Sequence, residues 1–291
     1  MADKMMNLIA IKNIVIDSIT DSLELFPFLL GAYLMLEYLE RRNDLKSMNL
    51  IHNAGRFGPI VGSLVGLIPQ CGFAAVASNF YAARAISVGT LMAIYLTTSD
   101  EMLPILISNA IPVGVIFKIL GLKFLFGVSI GLICDATINK SYQTVDIEKL
   151  CEEADCHCAG HGIWKPALYH ALRITLFVFA VTLALNALLE FLGEDLLHNI
   201  VFKRPIIGPI IAACIGLIPN CSASVAVTQL WVEGAMNFGS LISGLLAGGG
   251  VGILVLFKVN SNRLENIKII SILYISAVIC GILTEFLSIT L

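Results

Sequence analysis

Cys71 and Cys221 each close a Gly-Leu-Ile-Pro-x-Cys run, and the x is an amide in both: Gln70 in the first, Asn220 in the second. Pro69 and Pro219 remove a backbone donor and crowd the preceding turn, so a helix that contains them breaks there. In an apolar surrounding, the carbonyls and amides freed by such a break must meet a partner, and a bound ion or a wet cavity is one. The two cysteines add sulfur, which soft metals favour, and the two amides add oxygen. For a single segment of this kind, close packing with cysteine as a small apolar filler is a sufficient account. Two copies with the same residues in the same places favour a substrate site.

Oxygen chemistry is concentrated elsewhere, in Thr97-Thr98-Ser99-Asp100-Glu101. Ionisable groups at membrane depth cost roughly 2.5–3.5 kcal/mol on insertion scales, so they have a partner or a function. Asp100, Glu101 and Ser99 would offer hard oxygens to a divalent cation or a proton; a wet surface loop would hold them at no cost. The corresponding stretch of the second half is Gly248-Gly249-Gly250, which puts a site built on the carboxylates off any symmetry axis. Asn79 and Gln229 lie eight positions past each cysteine and either line a cavity or bridge helices. Glu37 and Glu190 sit in matching Leu-Glu-aromatic-Leu settings and are candidates for proton coupling, against helix ends that reach the interface. For Asp135 and Glu285 the interface is the preferred reading. A further cluster, Cys156-His157-Cys158 with His161, offers up to four ligands to Zn²⁺ or another thiophilic metal in the loop 151–161, against an incidental polar loop.

The elements that must position these residues repeat. Gly58, Pro59, Ile60, Gly66, Leu67, Ile68, Pro69 and Cys71 recur 150 positions later as Gly208, Pro209, Ile210, Gly216, Leu217, Ile218, Pro219 and Cys221. The register continues without a gap to Gly131 and Gly281, with Asp135 opposite Glu285. The spacing predicts a first helix from about Asp17 to Glu40. It then predicts segments at 58–83, 85–97, 101–118 and 119–138, a second long helix at 167–192, and segments at 206–232, 236–258 and 267–290. Residues 1–138 form a first transmembrane repeat, 139–166 a polar linker and 167–291 a second repeat. If 58–83 is one proline-broken crossing, each half has an odd number of crossings and the second is inverted. If it is a re-entrant hairpin, the repeats are parallel. The inverted arrangement is the expectation.

Composition sets the class. The chain is 57 % hydrophobic and 13 % charged, with a mean hydropathy of +0.88, whereas soluble domains carry about 25 % charged residues. The expected fold is therefore an all-α polytopic membrane protein with proline-broken helices and re-entrant segments. The N-terminus does not read as a signal peptide, because Lys12, Asp17 and Asp21 interrupt its apolar stretch. A multi-pass protein of the inner (plasma) membrane is expected, with the lipid bilayer and a metal ion as partners and a homo-oligomer allowed. With a net charge of −3 and no basic block, nucleic acid is not an expected partner. The eight cysteines read as free thiols rather than a disulfide framework. No ATP-binding motif and no nucleophile–base pair appears, so neither direct ATP coupling nor an enzyme is expected, and no cofactor is required beyond the transported metal.

The repeated Gly-Leu-Ile-Pro-x-Cys segments, the run Thr98-Ser99-Asp100-Glu101-Met102-Leu103-Pro104 and the Cys156-His157-Cys158 loop before Gly162-Ile163-Trp164-Lys165 together resemble one family. It is that of the ten-transmembrane heavy-metal exporters, whose members are labelled manganese transporters or arsenic efflux proteins. The resemblance covers residues 17–290 and implies export of a metal or metalloid. With the residues read above, the expected function is secondary transport of a divalent cation of the Mn²⁺, Fe²⁺ or Zn²⁺ type in exchange for protons. Efflux of arsenicals through Cys71 and Cys221 is the alternative. A membrane metal sensor or complex subunit is a reading of another class.

Overall fold

The computed structural model describes residues 15–16, 18–20, 22–35, 57–70, 72–99, 101–138, 164–192 and 204–287, the side chains of 166 and 186–192 excepted. Every regular element among them is an α-helix. The helices are α1 (22–35), α2 (Gly58–Gly66), α3 (Gly72–Ala82), α4 (Val88–Thr97), α5 (Met102–Ser108), α6 (Val113–Thr137), α7 (Trp164–Leu192), α8 (Ile207–Gly216), α9 (Cys221–Val232), α10 (Phe238–Ala247), α11 (Gly250–Val259) and α12 (Arg263–Phe286). Among the described residues, four stretches are long and apolar enough to cross a bilayer: Val113–Thr137, Ala167–Leu185, Phe238–Val259 and Arg263–Phe286. At 1.5 Å per residue α6 alone is about 37 Å long. α2 to α5, α8 and α9 are shorter, and prolines and glycines stand at several of their ends.

The short helices are the inner ones. From Gly89 to Thr97 every residue of α4 is buried, and so is every residue of α10 from Gly239 to Ala247. Helices apolar on all sides belong in a core. α4 packs between α2 and α6, and α10 between α8 and α12. The long helices carry the outer surface: Val113, Phe117, Leu125 and Ile133 of α6, Leu172 and Leu176 of α7, and Ile267, Ile275 and Ile279 of α12 are all exposed. In water such faces would be a liability; against acyl chains they are the expected surface.

Glycine makes the inner contacts close. A Cβ on Gly216 would stand 2.1 Å from the Gly244 carbonyl oxygen, and one on Gly89 2.1 Å from that of Gly131. Small residues at such positions let backbones approach where lipid supplies no hydrophobic drive. The two halves then exchange arms: α3 packs on α11, and α9 on α5.

One segment expectation changes. The stretch 101–118 is not one helix, and no break separates 118 from 119. α5 ends at Ser108, the chain turns through Ala110 at φ 51°, and α6 runs on unbroken from Val113. Pro112 sets this boundary, since the residue before a proline is driven out of the helical region. In the second half, 236–258 is interrupted within its glycine run, as two helices parted at Gly248-Gly249.

Asp135 and Glu285, near the ends of their helices, are each engaged by the neighbouring inner helix. Asp135 accepts from the Gly89 backbone N–H at 2.8 Å and from the Ser87 hydroxyl at 2.8 Å. Glu285 accepts from the Gly239 N–H at 3.0 Å and from the Asn237 amide at 2.9 Å. Each carboxylate thus sits on the N-terminus of the neighbouring inner helix, where orphan donors and the helix dipole favour negative charge.

Candidate functional site

The Pro-x-Cys break has the same geometry in both copies. α2 ends at Gly66 and α8 at Gly216, three residues ahead of the proline. The Gln70 N–H then donates to the Ile68 carbonyl at 2.8 Å, and the Asn220 N–H to that of Ile218 at 2.7 Å. Each bond closes a three-residue turn around its proline. The Gln70 carbonyl accepts from Phe73 N–H at 3.3 Å and the Asn220 carbonyl from Ala223 N–H at 3.2 Å, which starts the next helix. Asn220 is buried, and its side-chain oxygen caps α9 through the Ser222 N–H at 3.4 Å. Cys221 follows, buried and in no disulfide. It belongs to a cluster that joins α3, α9 and α11 to α1 and α7 through Ala75, Val251, Leu25 and Val178. Gln70 is half-buried. Cys71 lies outside the described residues.

Each break lies against the end of an inner helix. A Cβ on Gly66 would stand 2.1 Å from the Thr97 hydroxyl oxygen and 2.8 Å from the Ile94 carbonyl. The Gly216 position meets Gly244 and Ala247 of α10 in the same way. The interruption after α4 therefore stands beside the Pro69 break, and the one after α10 beside the Pro219 break. Hydroxyls bond back onto the helix end in the first. Thr97 donates to Ala93 at 2.8 Å, Thr98 to Ile94 at 2.8 Å, and Ser99 to Thr97 at 2.8 Å. Ser99 is buried and Glu101 half-buried at the start of α5. Asp100 lies outside the described residues.

Lys123 links the two interruptions. It is fully buried on α6. Its Nζ donates to the Thr98 carbonyl, just past α4, and at 3.3 Å to the Leu245 carbonyl in the last turn of α10. One turn before Gly66, the Ser63 hydroxyl is buried with no hydrogen-bond partner. Sequence reasoning had not singled out either residue. The signal for Lys123 was available, as a lone cation in the apolar run Gly121-Leu122-Lys123-Phe124-Leu125. Ser63 carries no such mark.

Other sequence candidates separate from this centre. Asn79 is buried on α3 and accepts from the Tyr33 hydroxyl of α1 at 2.5 Å, while its amide donates to Ala75 at 2.9 Å. Gln229, its counterpart, is exposed on α9 and donates to Glu233 at 3.0 Å. Both therefore act within or between helices, away from the breaks in their contacts. Glu190 falls on α7 with its side chain outside the described residues. Glu37 and the Cys156, His157, Cys158 and His161 cluster also lie outside them. Among the described residues no group of three or more His, Cys, Asp or Glu side chains is placed to hold a metal.

Across the halves, the Ser78 hydroxyl of α3 donates to the Gly252 carbonyl of α11 at 2.7 Å, and the Tyr95 hydroxyl of α4 reaches the same oxygen at 3.1 Å. At the periphery Arg84 pairs with Glu265 of α12 at 2.8 and 3.0 Å, and Tyr81 donates to the same carboxylate.

Interrupted inner helices, an apolar outer shell and buried polar groups at the interruptions define an all-α polytopic membrane protein. The chain belongs to the family described as "Putative, 10TM heavy-metal exporter", whose model matches residues 10–176 and 168–289. No curated protein and no solved structure matches it.

Proposed function

We propose that this chain is a secondary transporter that exports a divalent transition-metal cation, of the Mn²⁺, Fe²⁺ or Zn²⁺ type, across the inner membrane. The observation that carries the reading is that each Pro-x-Cys break follows a helix packed against the end of an inner helix, while the buried Lys123 joins the two inner-helix ends. Ser99 and Glu101 follow the end of α4 along the chain, and Asn220 and Cys221 follow the end of α8. Discontinuous helices in a membrane core are a common way to build an ion site, because unwound backbone replaces the ion's water shell. In this reading Asp100 and Glu101 supply charge, Cys71 and Cys221 supply sulfur, and Gln70 with Asn220 completes the set. Mixed oxygen and thiol donors suit a borderline divalent cation. The halves are inverted repeats that rock about the site, and Asp100, Glu101 or Glu37 exchanges the metal for protons.

Cys221 supports a second reading. A buried cysteine outside any disulfide at a break is a sulfur donor for trivalent arsenic, and efflux of arsenicals would run through Cys71 and Cys221. Proteoliposomes loaded with Mn²⁺, Fe²⁺, Zn²⁺, arsenite or methylarsenite, with and without a pH gradient, separate the two. Movement of a divalent cation driven by the gradient is the expected result. Movement of arsenicals alone would transfer the site to the cysteines. No movement of any of them would sink both and bring forward a membrane sensor or subunit.

A further inference from the structure

A fully buried ammonium is not a group that a site for metal cations calls for. Lys123 nevertheless stands where the two halves meet, and it donates to one carbonyl from each: Thr98 after α4 and Leu245 at the end of α10. Both oxygens lie at helix C-terminal ends, where carbonyls lack intrahelical donors and carry partial negative charge. The same oxygens are of the hard type that divalent cations take. Two cations cannot share them at contact distance in a dry core, because their repulsion there is far larger than in water. The position equivalent to Lys123 is Leu273, also fully buried, so one lysine serves both halves.

α2, α4 and α10 pack against α6. α2 and α10 carry no titratable side chain, and α4 carries only Tyr95, whose hydroxyl is engaged with Ser78 and Gly252. Asp100 and Glu101 follow Thr98 by two and three residues along the chain.

We propose that Lys123 is a tethered counter-cation. Its ammonium holds the Thr98 and Leu245 carbonyls while the carrier is empty and is displaced when a metal enters. By returning, it neutralises the empty site so that the carrier can reset. The ammonium stays protonated throughout, and no covalent bond is made or broken. This inference rests on the metal-cation reading above. It predicts that the loaded and the empty carrier respond differently to loss of the charge, which a merely structural lysine would not produce.

The test uses the full chain in proteoliposomes with Mn²⁺ as the probe, reading net efflux and Mn²⁺/Mn²⁺ exchange separately. In Lys123→Met, exchange persists while net efflux falls by about 100-fold. The apparent Mn²⁺ affinity tightens about tenfold if the ammonium holds the carbonyls about nine-tenths of the time. Lys123→Arg keeps the charge and keeps net efflux within about tenfold of the unmodified protein. Equal loss of exchange and net efflux in a folded Lys123→Met protein overturns the proposal, as does retention of both. If Lys123→Met fails to fold, Lys123→Arg decides: retained net efflux supports the counter-cation, and loss of net efflux overturns it. An unmodified protein that moves Mn²⁺ while the variants fail these expectations sinks this inference alone. One that moves no divalent cation in either assay sinks the metal reading and this inference with it.

Discussion

The two halves agree in backbone and disagree in charge. Both fold a three-residue turn around the proline, both press a glycine of the first arm against the end of the inner helix, and both seat a carboxylate on that helix's start. Where the first half has Thr98-Ser99-Asp100-Glu101 and Lys123, the second has Gly248-Gly249-Gly250-Val251 and Leu273. The shared features are those that any interrupted helix in lipid requires, since freed backbone groups must be satisfied wherever the break falls. The unshared ones exceed that requirement. Glycines can complete a break with little side-chain chemistry, so the charges of the first half are the part that function must explain.

The largest expected effect follows from removing that charge. Asp100→Asn or Glu101→Gln should lower Mn²⁺ export by about 100-fold, the scale of one lost charge-assisted ligand of about 3 kcal/mol. Cys71→Ser and Cys221→Ser should stay within about tenfold of the unmodified protein. Flux assays on the four variants read the comparison directly. The reverse order, with cysteines essential and carboxylates dispensable, would move the site to sulfur.

Next in size is a contrast in packing. Gly216→Ala would drive its Cβ to 2.1 Å from the Gly244 carbonyl, part of a helix backbone. Gly66→Ala would meet the Thr97 hydroxyl first, a side chain that can turn away, and the Ile94 carbonyl at 2.8 Å second. Overpacking of this kind costs about 1–3 kcal/mol, and Gly216→Ala should lie at the upper end. Unfolding of both variants in detergent measures the difference. A larger cost at Gly66 would mean that the Thr97 hydroxyl is held as rigidly as backbone.

Much of the shared scaffold was legible because it is written in glycine and proline. The proline turns fall where Pro69 and Pro219 require them, and the all-helical membrane class follows from composition. Pro112 was equally visible, yet it was given no weight as a boundary, so 101–118 was expected as one helix. The roles of Asp135 and Glu285 could not be read locally, because each caps a helix start through a backbone N–H 46 residues earlier. Asn79 and Gln229 are equivalent in sequence, but what each touches depends on which helix packs beside it: Tyr33 of α1 for one, the surface for the other. Lys123 was hidden for a related reason. Its partners are backbone carbonyls of two other helices, and a carbonyl has no sequence signature.

The Arg84–Glu265 pair sharpens the comparison at the rim, because it too lacks a counterpart. The positions equivalent to Tyr81, Arg84 and Glu265 are Trp231, Gly234 and Val115. The Glu265 carboxylate is nearly buried, while the Arg84 side chain is 37 % exposed. Glu265→Gln should therefore cost only about 1 kcal/mol, below the range for an enclosed charge pair. Thermal unfolding at low and high salt tests this, and an unchanged midpoint in both would leave the pair with no part in holding the halves together.

The smallest effects should come from the two capping carboxylates, and there the halves should match. Asp135→Asn and Glu285→Gln each keep an acceptor near the Gly89 or Gly239 N–H and lose only the charge. A helix N-terminus rewards that charge by about 0.3–1 kcal/mol, rising toward about 2 kcal/mol when partly buried. The two costs should agree to within about 0.5 kcal/mol, a margin at which independent sites are commonly compared. Transport should be little changed in either variant, since both carboxylates sit at the starts of α4 and α10 while the interruptions lie at their ends. If Asp135→Asn blocked Mn²⁺ flux while Glu285→Gln did not, the asymmetry of charge would extend along the whole of α4. Asp135 would then have to be treated as part of the ion path, not as scaffold.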